Sequence, residues 1–152
     1  MRLTTILSFL LLLSIPGFSQ VQKAKSNKPQ KPPVLRTFLG EFSGNISLPK
    51  PAVLSALQSP LVIRDQKNKF YRLSSCQFIV KQYSQAEQED GKIIRDSLQS
   101  GTLLKMTPLP APWQNRVSED MRPGDEVKFV DVIAKDSSGQ VYRSSDLIIR
   151  IK

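Results

Sequence analysis

The chain has 152 residues, 39% of them apolar and 23% charged, with one cysteine, no histidine and a formal net charge of +9. That length allows one domain with a core of its own once any targeting segment is set aside. Without histidine the usual general base and the commonest zinc ligand are both missing, and a lone cysteine cannot form an internal disulfide.

The chain opens on a secretory pattern. Met1 and Arg2 give a short positive start, Leu3 to Ile15 is an apolar run, and Pro16 and Gly17 break it before Phe18, Ser19 and Gln20. Gly17 and Ser19 take the small-residue positions of a cut before Gln20, so residues 1–19 read as a signal peptide and the product as periplasmic or envelope-associated. The run falls short of the roughly 20 residues of a membrane span, which leaves an uncleaved anchor as the alternative. No cysteine lies near the cut, which argues against a lipoprotein.

Residues 20–35, QVQKAKSNKPQKPPVL, are basic, proline-bearing and aperiodic, the composition of a linker. Lys23, Lys25, Lys28 and Lys31 are candidates for contact with an anionic surface, set against the plainer role of a solvated spacer. From Thr37 onward 16 basic residues face 13 acidic ones, a net charge of only +3. The basicity belongs to the tail, and nucleic acid is a poor candidate partner for the domain.

The domain is expected over residues 36–152. Arg36 to Ser47 mixes aromatics with Gly40 and Gly44 and reads as a strand with a bulge or turn. Pro51 to Leu57 has a proline suited to a first helical turn, with Val53 and Leu57 on one face, and Ser59 and Pro60 end it. Leu61 to Arg64 and Phe70 to Leu73 are short strands around a polar turn at Asp65 to Asn68. Ser75 to Tyr83 is the strongest central strand, with Cys76, Phe78 and Val80 on one face, so the thiol is expected to be buried and inert.

Glu87, Glu89, Asp90 and Gly91 form an acidic loop without the ligand spacing of a calcium site. Lys92 to Leu98 and Thr102 to Met106 read as two strands joined by a turn at Ser100 and Gly101. The segment TPLPAPW, Thr107 to Trp113, is a stiff crossing loop. It delivers Trp113 to a helix over 113–121 whose stripe is Trp113, Val117 and Met121.

After the Pro123-Gly124-Asp125 turn, Glu126 to Lys135 is β-rich. A polar break at Asp136 to Gly139 leads into the closing run, where Leu147, Ile149 and Ile151 alternate with Ile148, Arg150 and Lys152. This is a terminal hairpin that needs a sheet to pack against. With no βαβ rhythm, the expected fold is mainly β, an antiparallel β-sandwich, Ig-like or related, with two short helices.

The closing segment resembles that of the C-terminal domain of the gliding-motility protein GldM family. The likeness lies in Pro123, Gly124, Asp125, Phe129, Val132 and Ala134 followed by LIIRIK, and extends more weakly through SCQFIVKQYS to GNISLPKPAVLSA. The resemblance implies a periplasmic sandwich making protein contacts in an envelope machine of the gliding and type IX secretion kind. Motor coupling and membrane anchoring belong to other parts of such proteins and are not carried over.

These readings favour a non-catalytic interaction module with an envelope protein partner. No catalytic residue, cofactor-binding residue or metal ligand is assigned, because neither a serine–lysine arrangement nor a facing carboxylate pair is recognisable. Pro108, Pro110, Pro112 and Trp113 are the candidate partner contact, with the terminal hairpin as an edge for strand addition. The alternatives are a cell-wall or carbohydrate-binding module, for which Trp113, Tyr71, Tyr83 and Tyr142 would be the aromatic platforms, and, third, a small secreted enzyme.

Overall fold

The computed structural model describes residues 32–87 and 93–152. The expected signal peptide, the lysines Lys23, Lys25, Lys28 and Lys31, and the acidic residues Glu89 and Asp90 lie outside the described residues.

The domain begins where apolar alternation begins. Leu35, the last residue of the stretch read as a linker, is buried and opens β1 (Leu35–Leu39), in which Leu35, Thr37 and Leu39 all face inward. After a turn at Gly40 come β2 (Phe42–Ser43) and β3 (Asn45–Leu48), separated by Gly44 alone. Helix α1 (Lys50–Leu57) starts after Pro49, whose carbonyl accepts from the amides of Ala52 and Val53. It buries Val53, Ala56 and Leu57, the apolar face that the sequence spacing indicates.

Strand β4 (Leu61–Asp65) pairs antiparallel with β1 and leads through a turn into β5 (Phe70–Glu87). The two strands expected at 70–73 and 75–83 are one strand. Register shifts around Ser75, against the partner strand β7 (Glu126–Lys135), mark a bulge that lets it bend without ending. Its first residues pair with β4, and from Arg72 to Lys81 it pairs with β7. On its other side β6 (Ile93–Leu104) runs antiparallel from Cys76↔Leu104 to Glu87↔Ile93.

That last pairing corrects the expected turn at Ser100 and Gly101. Gly101 lies inside β6 opposite Ile79, and a Cβ there would come 2.6 Å from the Phe78 carbonyl oxygen. The glycine serves a close approach of two backbones rather than a reversal of the chain.

Helix α2 (Ala111–Asp120) begins two residues before the sequence expectation, because Pro110 already accepts the first helical bonds and Pro112 suits the first turn. Val117 and Met121 are buried, and Lys50 Nζ donates to the Met121 carbonyl at 2.8 Å, tying the end of α2 to α1.

Strands β8 (Val141–Arg143) and β9 (Leu147–Ile151) both pair antiparallel with β7, along different parts of it. The closing strand is not an edge. On its far side β9 takes β3 in parallel, Asn45↔Ile148 to Leu48↔Ile151. This removes the expectation that the terminal hairpin offers a free edge, and it makes the sheet mixed, with seven of the eight strand pairings antiparallel among the described residues.

The sheet path runs β2-β1-β4-β5-β7-β9-β3. Its two ends, β2 and β3, are neighbours in the chain, so the sheet curls into a nearly barrel-shaped structure. Gly44 sits at the junction with φ +77°, a backbone state that glycine adopts without strain, and its carbonyl accepts from the Ile148 amide at 2.8 Å. Inside are Leu39, Ile63, Phe78, Val80, Phe129, Leu147, Ile149 and Ile151, with the two helices supplying Val53, Leu57, Val117 and Met121. Thr37 is a buried polar residue of this interior, and its hydroxyl donates to Ser144 Oγ, also buried, at 2.9 Å. The fold is thus mainly β with two helices, and no described helix is long and apolar enough to cross a membrane.

Candidate functional site

Among the described residues strand β6 is paired on one side only. The sheet path passes through β5 to β7 and leaves β6 as a twelve-residue branch from β5. Beyond Lys81↔Glu126, β5 has no further ladder pairing with β7 among the described residues, and Gln82–Glu87 and Ile93–Leu98 run on as a two-stranded ribbon. Three large apolar residues on β6 stand in solvent: Ile93 and Leu98, each 64% exposed, and Leu103, 60% exposed. A long free edge carrying apolar side chains, with neither lysine nor proline within it, is a template for another strand.

The proline segment continues from this edge. Met106, Pro108, Pro110 and Pro112 are exposed, while Leu109 between them is buried and anchors the segment. The Thr107–Pro108 peptide is cis, and Thr107 Oγ1 accepts from the Leu61 amide at 3.0 Å. Trp113 packs edge-on against Phe78 with ring centroids 5.5 Å apart, and Phe78 in turn meets Phe129 at 5.1 Å. The indole is therefore half-buried against the core, while Pro108, Pro110 and Pro112 are exposed.

A polar cleft of about 490 Å³ lies at the base of the ribbon, between Gln82 and Tyr83, Leu98, and the end of α2 at Glu119, Asp120 and Arg122. Buried Asp125 closes it, and both its oxygens hold backbone: Oδ1 accepts from the Tyr83 amide and Oδ2 from the Arg122 amide, each at 2.8 Å. Gln82 Nε2 donates to the Asp120 carbonyl at 3.2 Å. These bonds position the ribbon on the body.

On the outer face of β7, Glu126 is buried among cations. Arg150 reaches Oε1 at 2.6 Å and Lys128 reaches Oε2 at 2.9 Å, with the Tyr83 hydroxyl donating at 3.3 Å. Burial by itself would raise this carboxyl, but the hydrogen bonds from Arg150 and Lys128 outweigh it and bring the pKa down to about 2. The group is a structural anion, charged throughout the neutral range.

Cys76 is fully buried, as its strand position indicates, and burial pushes its thiol up to about 11. Among the described residues no cluster of three or more Cys, Asp or Glu side chains is placed to hold a metal ion. The aromatic candidates for a sugar platform are used internally. Tyr71 and Tyr142 stack edge-on at 5.6 Å, Trp113 sits on Phe78, and Lys81 Nζ lies 4.8 Å over the Tyr83 ring.

The sequence hides the edge of β6 because Ser-Gly at 100–101 reads as a turn. The available sign was the five-residue spacing of Ile93, Leu98 and Leu103, which matches neither face of a strand nor a helix stripe. Compared with known proteins, the chain matches no family model and no curated protein.

Proposed function

We propose that the chain is a non-catalytic interaction module of the cell envelope, exported by its N-terminal leader, which docks a partner by strand addition on β6. The observation that carries this reading is the twelve-residue strand with one unpaired side and three exposed apolar residues. In strand addition the backbone supplies hydrogen bonds and alternate side chains supply specificity. The exposed prolines at 108, 110 and 112 follow β6 in the chain and would add contact area at little entropic cost, since their backbone is already stiff.

A role accessory to gliding or type IX secretion rests on the resemblance of the closing segment to the GldM C-terminal domain. A sandwich of the Ig-like or related kind is the finer reading of the sheet. It is supported by the way bent β5 divides its partners, β4 at one end and β6 and β7 at the other. The test is capture of partners from envelope extract by the purified chain and by Leu98→Lys and Leu103→Lys variants. Loss of captured partners with folding intact is the expected result, and capture unchanged in both variants would remove β6 from the account.

A further inference from the structure

We infer that the strand added to β6 is the β6 strand of a second copy of this chain, related by a two-fold axis perpendicular to the sheet near Leu98. This inference rests on the reading of β6 as the docking edge and names its occupant. The argument is one of register. A two-fold axis of that kind pairs the strands antiparallel and keeps each residue on its own face of the sheet, so opposed residues share parity.

Centring the pair on Leu98 sets it against the partner's Leu98 and sets Ile93 against the partner's Leu103. Among the described side chains, the large exposed apolar residues of β6 are then opposed by apolar residues. A shift of two residues either way breaks this match: Leu98 then meets the partner's Asp96 or the partner's Ser100.

One further feature fits the same register. Asp96 comes opposite the partner's Ser100, so no like charges face each other there. Among the described residues the other strands paired on one side, β2, β3 and β8, are two, four and three residues long and present no comparable length of free backbone.

The experiment is disulfide trapping in the full chain. Leu98→Cys is placed on the axis and is expected to give a disulfide-linked dimer under mild oxidation. Ser97→Cys alone should link far less, whereas a mixture of Ser97→Cys with Gln99→Cys should link as heterodimers. The native Cys76 is buried and stays silent. Sedimentation of the unmodified chain should show twice the monomer mass, returning to monomer with Leu98→Lys.

A chain that stays monomeric at high concentration, with Leu98→Cys failing to link, would overturn the second copy as occupant. If that same monomer still captures an envelope protein through β6, the docking reading survives with a different strand. If capture is also insensitive to β6 substitution, both readings fail.

Discussion

The two ends of β5 show how differently one strand can be held. At its start the chain enters through a turn in which Asp65 Oδ1 accepts from the amides of Lys67 and Lys69 at 2.8 and 3.0 Å, and the Tyr71 hydroxyl donates to Oδ2 at 3.2 Å. The turn between β7 and β8 repeats this arrangement. Asp136 Oδ1 accepts from the amides of Ser138 and Gln140 at 2.9 and 3.0 Å, with the Tyr142 hydroxyl on Oδ2 at 3.4 Å. Asn68 and Gly139 both take positive φ at the matching position, and Tyr71 packs edge-on against Tyr142. DQKNKFY and DSSGQVY are thus one turn used twice, side by side. At its far end β5 keeps β6 as its ladder partner among the described residues, with the Gln82 side chain and the Tyr83 amide tied to Asp120 and Asp125. Local lock and tertiary neighbours together fix the first end, whereas the second is left with an unpaired edge that the proposal assigns to a partner.

This contrast can be broken or sharpened by substitution. The largest effect is expected for Phe78→Ala, which removes a fully buried ring in contact with both Trp113 and Phe129 and should cost about 3–5 kcal/mol in denaturant unfolding. In dilute solution, where the chain is monomeric, Leu98→Lys should change stability by no more than about 0.5 kcal/mol, because within one chain that side chain is in solvent. A comparable loss from both would mean that the ribbon is part of the core.

Between these extremes lie the turns. Asp65→Ala and Asp136→Ala should each lower the unfolding midpoint, and the double variant should depart from additivity because the two turns meet through Tyr71 and Tyr142. Strict additivity would separate the turns energetically.

A further effect concerns acid. Glu126 titrates lower in the folded chain than in the unfolded one, so its contribution is complete above its ordinary value near 4.5 and is lost as pH falls toward about 2. Glu126→Gln should flatten the acid limb of a stability profile over that interval while leaving the slope above pH 5 unchanged.

Much of the core was legible in the sequence because it rests on short-range pattern. The inward residues of β9, the faces of both helices, the buried Cys76, Phe78 and Val80, and the Pro-Gly-Asp turn all follow from periodicity and turn chemistry. What escaped depends on partners far along the chain. Nothing local to LIIRIK announces that NISL will lie parallel beside it, and it is that pairing which takes β9 out of contention as an edge. Gly101 reads as a turn residue until the Phe78 carbonyl is seen against it. The docking edge was missed for the same reason, since a free edge is defined by which strand is absent beside it. The duplicated aspartate–tyrosine turn was present in the sequence as a seven-residue echo, although the two copies share only their first and last residues.

Amide hydrogen exchange, read residue by residue as a function of protein concentration, tests the central claim most directly. The amides of β9, paired on both sides, should exchange only through global unfolding at every concentration. Within residues 93–103 the outward amides should exchange fast in dilute solution and become protected as concentration rises and the second copy adds its strand. Protection across β6 that is already complete in dilute protein, or exchange that stays fast up to the highest concentration, would contradict the assignment of this edge as the site where a second copy docks.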